Sequence, residues 1–251
     1  MPGEKILVCV AWPYANGALH LGHMAGTIMP ADIFARYHRM VGNRVLMVSG
    51  SDMHGAPIAV RAEKEHVSPE DIAFRFHDIN KKVLEDVGAS FDLYTHTHTD
   101  NHSRTVQEIF QGLLDNGFLE KRTTPQFYSG SCARFLPDRY VGGVCPFCGH
   151  EKARGDQCDQ CGKTMNADEL KEPKCQLCSS TPLLRDTEHF FLLLTSFQER
   201  LKDYLKDKDH WRPRVRGFTE NILQEGLQDR AITRDISWGI PVPASGFEEK
   251  R

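Results

Sequence analysis

Two histidines three positions apart, His20 and His23, stand where the sequence passes from an apolar run to an amphipathic helical pattern. On the first turn of a helix, side chains at that spacing share a face. The backbone N–H groups there are unpaired and lie at the positive end of the helix dipole, so the position suits an anion such as a phosphate. Gly22 between them carries no side chain, which lets a flat group such as a purine come close to the backbone. A carboxylate, Asp52, follows a second apolar run in Gly50-Ser51-Asp52-Met53-His54-Gly55. It can hold an ammonium group by a charge-assisted hydrogen bond, or else cap a helix that begins near Pro57. Trp12 and Tyr14, just ahead of the histidines, are two aromatic rings placed to wall a pocket.

The cysteines form a separate pattern. Cys145-Pro-Phe-Cys148 and Cys158-Asp-Gln-Cys161 are two knuckles separated by nine residues, each followed by a glycine that lets the chain turn around sulfur. Four thiolates with no histidine and no open position point to structural Zn²⁺ rather than to disulfides. Cys175-Gln-Leu-Cys178 is a third pair without an intact fourth. Cys9, inside the first apolar run, reads as a small core residue.

These residues need elements to position them. Lys5–Ala11 (KILVCVA) has the apolar, β-branched character of a strand buried on both faces of a parallel sheet, and Pro13, Asn16 and Gly17 break it. The helix starts near His20 and runs to Met40, with Gly42 to end it and Pro30 able to kink it; Arg44–Ser49 is a second strand. A β-α-β order implies a right-handed crossover, and an open α/β sheet keeps its site at the carboxyl ends of its strands, where both special stretches fall. Ser68-Pro69-Glu70-Asp71 starts a helix reaching about Val87, Phe91–Tyr94 is a third strand, and a helix over 101–116 is closed by Gly117. Between Lys121 and Leu183 Gly, Pro, Cys and charged residues dominate with little periodicity, which suggests a small domain held by metal. Helical pattern returns at 190–205 and 218–227, Ile232 onward reads as re-entry into the first domain, and 243–251 as a polar tail. The predicted fold class is α/β: a doubly wound, Rossmann-like parallel sheet whose first half occupies 1–116, interrupted by a zinc-knuckle connective domain over 117–230 and re-entered over 231–251.

Composition narrows the function classes. The chain has 251 residues, 40% hydrophobic and 26% charged, with a formal net charge of −3, so neither disorder nor an overall basic nucleic-acid footprint is indicated. A local basic group, Arg200, Lys202, Lys206, Lys208, Arg212, Arg214 and Arg216, is interspersed with Asp203, Asp207 and Asp209. It is either a contact for nucleic acid or, as mixed charge more often is, a solvated face. No apolar run is long enough to span a bilayer, and paired cysteines in a reducing compartment favour metal, so a cytoplasmic protein without a membrane partner is expected.

Taken together, Pro13-Tyr14-Ala15-Asn16-Gly17 followed by His20-Leu21-Gly22-His23 resembles the signature of class I aminoacyl-tRNA synthetases, and most of all its methionyl branch. Gly50–Gly55, the Cys145–Cys161 knuckles and Arg234-Asp235-Ile236-Ser237-Trp238-Gly239-Ile240-Pro241 agree with that branch in order, so the resemblance covers nearly the whole chain. It implies activation of methionine by ATP with Mg²⁺, followed by transfer to tRNA(Met). It gives His20 and His23 the catalytic role, His20, Gly22 and His23 the ATP contacts, and Trp12, Tyr14, Asp52, His54 and Trp238 the methionine contacts. Such enzymes often show leucine where this chain has Trp12. Arg234 and Asp235 would face the site or pair with each other. Some members carry a further CxxC ahead of the first knuckle where this chain reads Ser129-Gly130-Ser131-Cys132. Cys132, Cys175 and Cys178 would then hold a second Zn²⁺ with water or a nearby side chain, or form a degenerate site. A KMSKS-like lysine loop is not found in these 251 residues, and the family continues into further strands and a helical anticodon-binding domain. The stretch is therefore expected to be an N-terminal catalytic portion that is inactive alone, with exchange activity recovered by a chain extended through the lysine loop. A free-standing nucleotidyltransferase using the HxGH turn and a zinc-ribbon binding module with a vestigial nucleotide fold are the competing readings.

Overall fold

The apolar runs at the start of the chain become β1 (Lys5–Cys9) and β2 (Arg44–Ser51), paired in parallel from Lys5↔Arg44 to Cys9↔Val48 in a computed structural model. It describes residues 3–165 and 167–251; Met1 and Pro2, which the sequence places just before the first strand, and Asn166 lie outside the described residues. β3 (Leu93–His96) pairs in parallel with the other side of β2, giving the order β1-β2-β3, one winding direction of the expected sheet. Between β1 and β2 runs a helix in three parts: α1 (Leu21–His23), a π turn (Met24–Ile28) and α2 (Met29–Met40). Pro30 has no N–H to give the carbonyl four residues back, and the chain meets this with the π turn, in which Met29 N–H bonds to Met24 O. α3 (Ala56–Glu65) and α4 (Pro69–Asp86) lie between β2 and β3. Ser68 Oγ accepts the Asp71 N–H at 3.0 Å and the Asp71 carboxylate accepts the Ser68 N–H at 3.2 Å, the capping box that the Ser-Pro-Glu-Asp sequence implies.

The chain folds as two compact units: residues up to Arg104 with Trp238–Ile240, and Thr105–Ser237 with Pro241–Arg251. In the first, Val10, Ile28, Ala35, Met47 and Leu84 make a core between the sheet and helices α2 and α4. The expectation of a strand buried on both faces is corrected here. In β1 exposure alternates, with Leu7 62% exposed and Cys9 exposed rather than in the core. Strands added in one direction by right-handed crossovers put their helices on one face, and the other face is exposed at Leu7, Leu46 and Leu93.

In the second unit β4 (Leu119–Ser129) and β9 (Leu183–Leu192) pair antiparallel over nearly their whole length, flanked by β5 (Arg134–Phe135) and β10 (Arg230–Ala231). A smaller sheet has the order β7-β6-β8, from β6 (Val141–Val144), β7 (Ala153–Arg154) and β8 (Lys171–Cys175). α5 (Asp100–Asp115), inside which the division between units falls, supplies Phe110 to a core completed by Leu119, Phe190 and Phe247. Two expectations change. Phe190–Leu192 ends a strand, and helix returns only in α6 (Gln198–Leu205) and α7 (Pro213–Glu225). Residues 243–251 pack, with Phe247 only 1% exposed. In the basic group, Lys202, Lys206, Lys208 and Arg216 each pair with a carboxylate, as on a solvated face.

Asp235 is a fixed point of this unit. It pairs with Lys250 and with His189, whose Nε2 is 3.1 Å away, and accepts from Thr187 Oγ1 at 3.0 Å. Burial pushes its carboxyl up, but these partners outweigh it and bring the pKa down to about 2. A carboxylate with a lowered folded pKa contributes stability above its unfolded value and loses it as pH falls toward the folded one. Asp235→Asn should therefore destabilise the unit by about 2 kcal/mol at neutral pH, after allowance for solvent screening, and by less at pH 2. Denaturant titration at the two pH values checks this; an equal loss at both would contradict it.

Candidate functional site

The loop after β1 is fastened to the end of β2 by two backbone bonds in the first unit. Asp52 N–H donates to Pro13 O and Ala15 N–H to Asp52 O, both at 2.8 Å, so Tyr14 and Asp52 pair across the sheet edge. α3 and α4 hold the rest of the loop. Arg61 Nη1 donates to Asn16 O at 2.6 Å, and Asn80, wholly buried in α4, accepts Leu19 N–H at 2.9 Å and donates to Gly17 O at 3.2 Å. Asn80→Ala would leave a half-buried donor and a half-buried acceptor without their partner and should cost about 1–3 kcal/mol. Thermal unfolding measures it, and a loss below 1 kcal/mol would contradict the assignment.

His20 is the N-cap of α1. Its Nδ1 accepts Gly22 N–H at 3.0 Å, while His23 Nδ1 accepts His20 N–H at 3.2 Å, so two imidazoles make a reciprocal cap with ring centroids 3.9 Å apart. Gly22 N–H is therefore occupied, which moves the anion-binding capacity from the free backbone amides to the rings. An Nδ1 that accepts a hydrogen bond carries no proton, so in each neutral ring the proton is on Nε2, a donor. Burial, and then the proximity of His20, lower the His23 pKa, which keeps that ring neutral. A Cβ at Gly22 would fall 2.9 Å from the His20 ring, so glycine is required here by its neighbour as well as by any ligand.

Asp52 is half-buried, and its carboxyl is raised by burial, opposed by the His54 N–H that donates to Oδ1 at 3.2 Å and by His102. It does not cap α3, whose N-cap is Gly55. Trp12 and Tyr14 are 38% and 47% exposed, and a Cβ at Gly50 or Gly55 would collide with their rings, at 2.6 and 2.3 Å. Two backbone approaches thus seat the two aromatic walls. Trp238 belongs to the same unit, with Nε1 donating to Met53 O, its ring edge-on to His54 at 5.4 Å and stacked on His98 at 4.8 Å. His54 Nε2 and His98 Nδ1 are hydrogen-bonded at 2.9 Å.

Burial, then the positive potential of His98, His102 and His96, lower the His54 pKa to about 4. Burial lowers His77 and His96 as well, with a neighbouring histidine as the next cause. As pH falls below 6.5 the unfolded chain takes up protons that these folded rings refuse, His54 until about pH 4. Stability of this unit should therefore fall between pH 6.5 and 4, and a denaturation midpoint that stays constant across that range would contradict the ring environments.

In the second unit the four knuckle sulfurs lie within 4.8 Å of one another. Cys145–Cys161 and Cys148–Cys158 are 3.9 and 3.7 Å apart, close to the edge of about 3.8 Å that Zn–S bonds of about 2.3 Å give a tetrahedron. Gly149 and Gly162 take φ of 75° and 72°, the left-handed turn expected after each knuckle. None of the eight cysteines is in a disulfide. The donor set therefore fits a closed tetrahedral metal centre. Cys132, Cys175 and Cys178 form a second group whose sulfurs also lie within 4.8 Å of one another.

Trp12, Tyr14, His20, Gly22, His23, Asp52, His54 and Trp238 all fall in the first unit, and the two cysteine groups in the second. Arg234 and Asp235 do not pair with each other: Arg234 donates to the carbonyls of Ala231 and Thr233, while Asp235 turns to His189 and Lys250. Asn80, Arg61 and His98 were not singled out from the sequence. Asn80 has a readable signal, an amide in the apolar stripe Ala73-Phe76-Leu84 of α4. His98 has one too: it follows His96 by two residues at the end of β3, the spacing of one strand face.

With this geometry in view, comparison with known proteins is consistent throughout. The family described as tRNA synthetases class I (M) matches residues 6–251. The methionine–tRNA ligase of Thermomicrobium roseum is 56% identical over 247 residues, covering 98% of this chain and 42% of the relative. That of Thermoplasma volcanium is 51% identical over 251 residues, covering 100% and 46%. The chain thus spans less than half the length of these curated relatives. A solved structure of Mycobacterium tuberculosis methionyl-tRNA synthetase in complex with methionyl-adenylate superposes with a TM-score of 0.72 over 98% of this chain and 44% of that one, at 21% identity, a likeness of fold. A match over nearly the entire sequence, joined to relatives at half identity or better, places this chain in the class I tRNA synthetases, in the methionine family.

Proposed function

We propose that the chain is the N-terminal catalytic portion of a methionine–tRNA ligase, which joins methionine to ATP as methionyl-adenylate and passes the methionyl group to tRNA(Met). The observation that carries this reading is the backbone fastening of the loop before the imidazole cap to the β2 end that bears Asp52. It puts a carboxylate and two imidazoles on one sheet edge.

In this reading Asp52 accepts the α-ammonium of methionine, and Trp12, Tyr14, His54 and Trp238 surround its thioether. The methionine carboxylate attacks the α-phosphorus of ATP, and pyrophosphate leaves. Little proton transfer is needed, so catalysis comes from alignment and from neutralising charge on the phosphate. The Nε2–H groups of His20 and His23 serve as those donors, and Gly22 leaves room for the adenine ring. Mg²⁺ accompanying ATP would supply further charge neutralisation. Cys145, Cys148, Cys158 and Cys161 would hold a Zn²⁺ that keeps the knuckles folded and takes no part in the chemistry, and Cys132, Cys175 and Cys178 would hold a second. The relatives' names and the methionyl-adenylate in the solved neighbour support the choice of methionine.

A chain extended to the length of its relatives should catalyse methionine-dependent ATP–pyrophosphate exchange and charge tRNA(Met). Exchange that proceeds equally without methionine would instead mark a nucleotidyltransferase of another kind.

A further inference from the structure

The second cysteine group offers three sulfurs within 4.8 Å of one another, and the hydroxyl of Ser129 lies beside them. This residue ends β4 and is wholly buried. Its Oγ lies 3.5 Å from Cys178 Sγ. Zinc with Zn–S of about 2.3 Å and Zn–O of about 2.0 Å would make edges of about 3.8 Å between sulfurs and about 3.5 Å between sulfur and oxygen. Cys132 and Cys175 sulfurs are 3.9 Å apart, and the oxygen-to-sulfur separation is the 3.5 Å just given.

Local backbone geometry agrees. Ser129 Oγ accepts the N–H of Cys132, three residues on, at 3.2 Å. In the first centre Cys145 receives the N–H of Cys148, again three residues on. Ser129 thus stands to Cys132 as the leading ligand of a knuckle stands to the second. Ser180 Oγ lies 3.3 Å from Ser129 Oγ and 3.0 Å from Cys178 Sγ, a second hydroxyl placed to orient both groups.

We propose that Ser129 Oγ is the fourth ligand of a second zinc ion, completing a centre of three thiolates and one hydroxyl with Cys132, Cys175 and Cys178. This rests on the reading that the second group holds zinc. Binding releases the three thiol protons and leaves the serine proton in place, so the centre carries one negative charge fewer than four thiolates would give it. A neutral hydroxyl is a weaker zinc donor than a thiolate. The second ion should therefore leave before the first when a chelator competes.

The test is zinc content together with zinc-edge X-ray absorption on the purified 251-residue chain, on Ser129→Ala and on Ser129→Cys. The wild type should hold two zinc ions, with an average of about 3.5 sulfur and 0.5 oxygen neighbours per zinc. Ser129→Cys should convert the spectrum to all sulfur and slow chelator removal of the second ion tenfold or more. Ser129→Ala should speed that removal by about 10–100-fold without affecting the first ion. An unchanged oxygen contribution and removal rate in Ser129→Ala would overturn the proposal in favour of water. Were that variant not to fold, an oxygen contribution persisting in Ser129→Cys would overturn it equally. A single zinc in the wild type, with Cys132, Cys175 and Cys178 all open to a thiol reagent, would overturn the two-zinc reading and this proposal with it.

Discussion

Chelation of zinc from this chain, or Cys158→Ser, should unfold the knuckle region while leaving the first unit folded. Cys158 is wholly buried and Cys145 nearly so, and the short strands β6, β7 and β8 offer little apolar surface apart from the metal. Structural zinc contributes on the order of 10–16 kcal/mol in small knuckle folds, as much as the entire stability of an ordinary domain. The first unit has its own cores, one around Met47 and one around Met53. Hydrogen exchange resolved by residue is the check. Protection should vanish over 141–175 and persist in β1, β2 and α4. Protection surviving in 141–175 after metal removal would mean that the cysteines are not what holds that region.

A second large effect is expected at the imidazole cap. His20→Ala, in a chain of full length, should reduce methionyl-adenylate formation by about 10²–10³, roughly 2–4 kcal/mol of lost donor stabilisation where charge builds on the phosphate. The substitution also removes the acceptor of Gly22 N–H, which alone costs the fold about 1 kcal/mol. His20→Asn separates the two effects, since a short amide restores the cap but cannot reach where Nε2 reaches. It should recover thermal stability and not the rate. If His20→Asn restored both, the ring would be a cap only.

The parts of this molecule that were legible in the sequence are those fixed by short, exact spacing. The histidine turn, the Asp52 position and the two knuckles each depend on residues a few places apart, and the structure brings each set together as the spacing implies. What stayed hidden depends on distant partners. Arg61 and Asn80 hold a loop more than forty residues away, and nothing near them in sequence names that loop. β4 was illegible because Lys, Arg, Thr and Pro along it hide a strand whose alternate residues face solvent. Phe190–Leu192 looked helical because a short apolar cluster carries no period of its own. The exposure of Leu7 and Cys9 could not be read either, since burial of a strand's second face depends on what packs there.

Methionine binding at Asp52 bears most directly on the central claim, that the edge formed by the β1 loop and the end of β2 is an amino-acid site beside a phosphate site. Calorimetric titration of methionine and of ATP into the full-length enzyme and its Asp52→Asn variant measures it. Loss of a charge-assisted hydrogen bond to the ammonium should weaken methionine by about 10–100-fold, or 1.5–3 kcal/mol. ATP affinity should be unchanged. In the wild type, methionine affinity should also fall as pH drops toward the raised pKa of Asp52, because only the ionised carboxylate holds the ammonium. Methionine binding that is equally tight in Asp52→Asn would contradict the account.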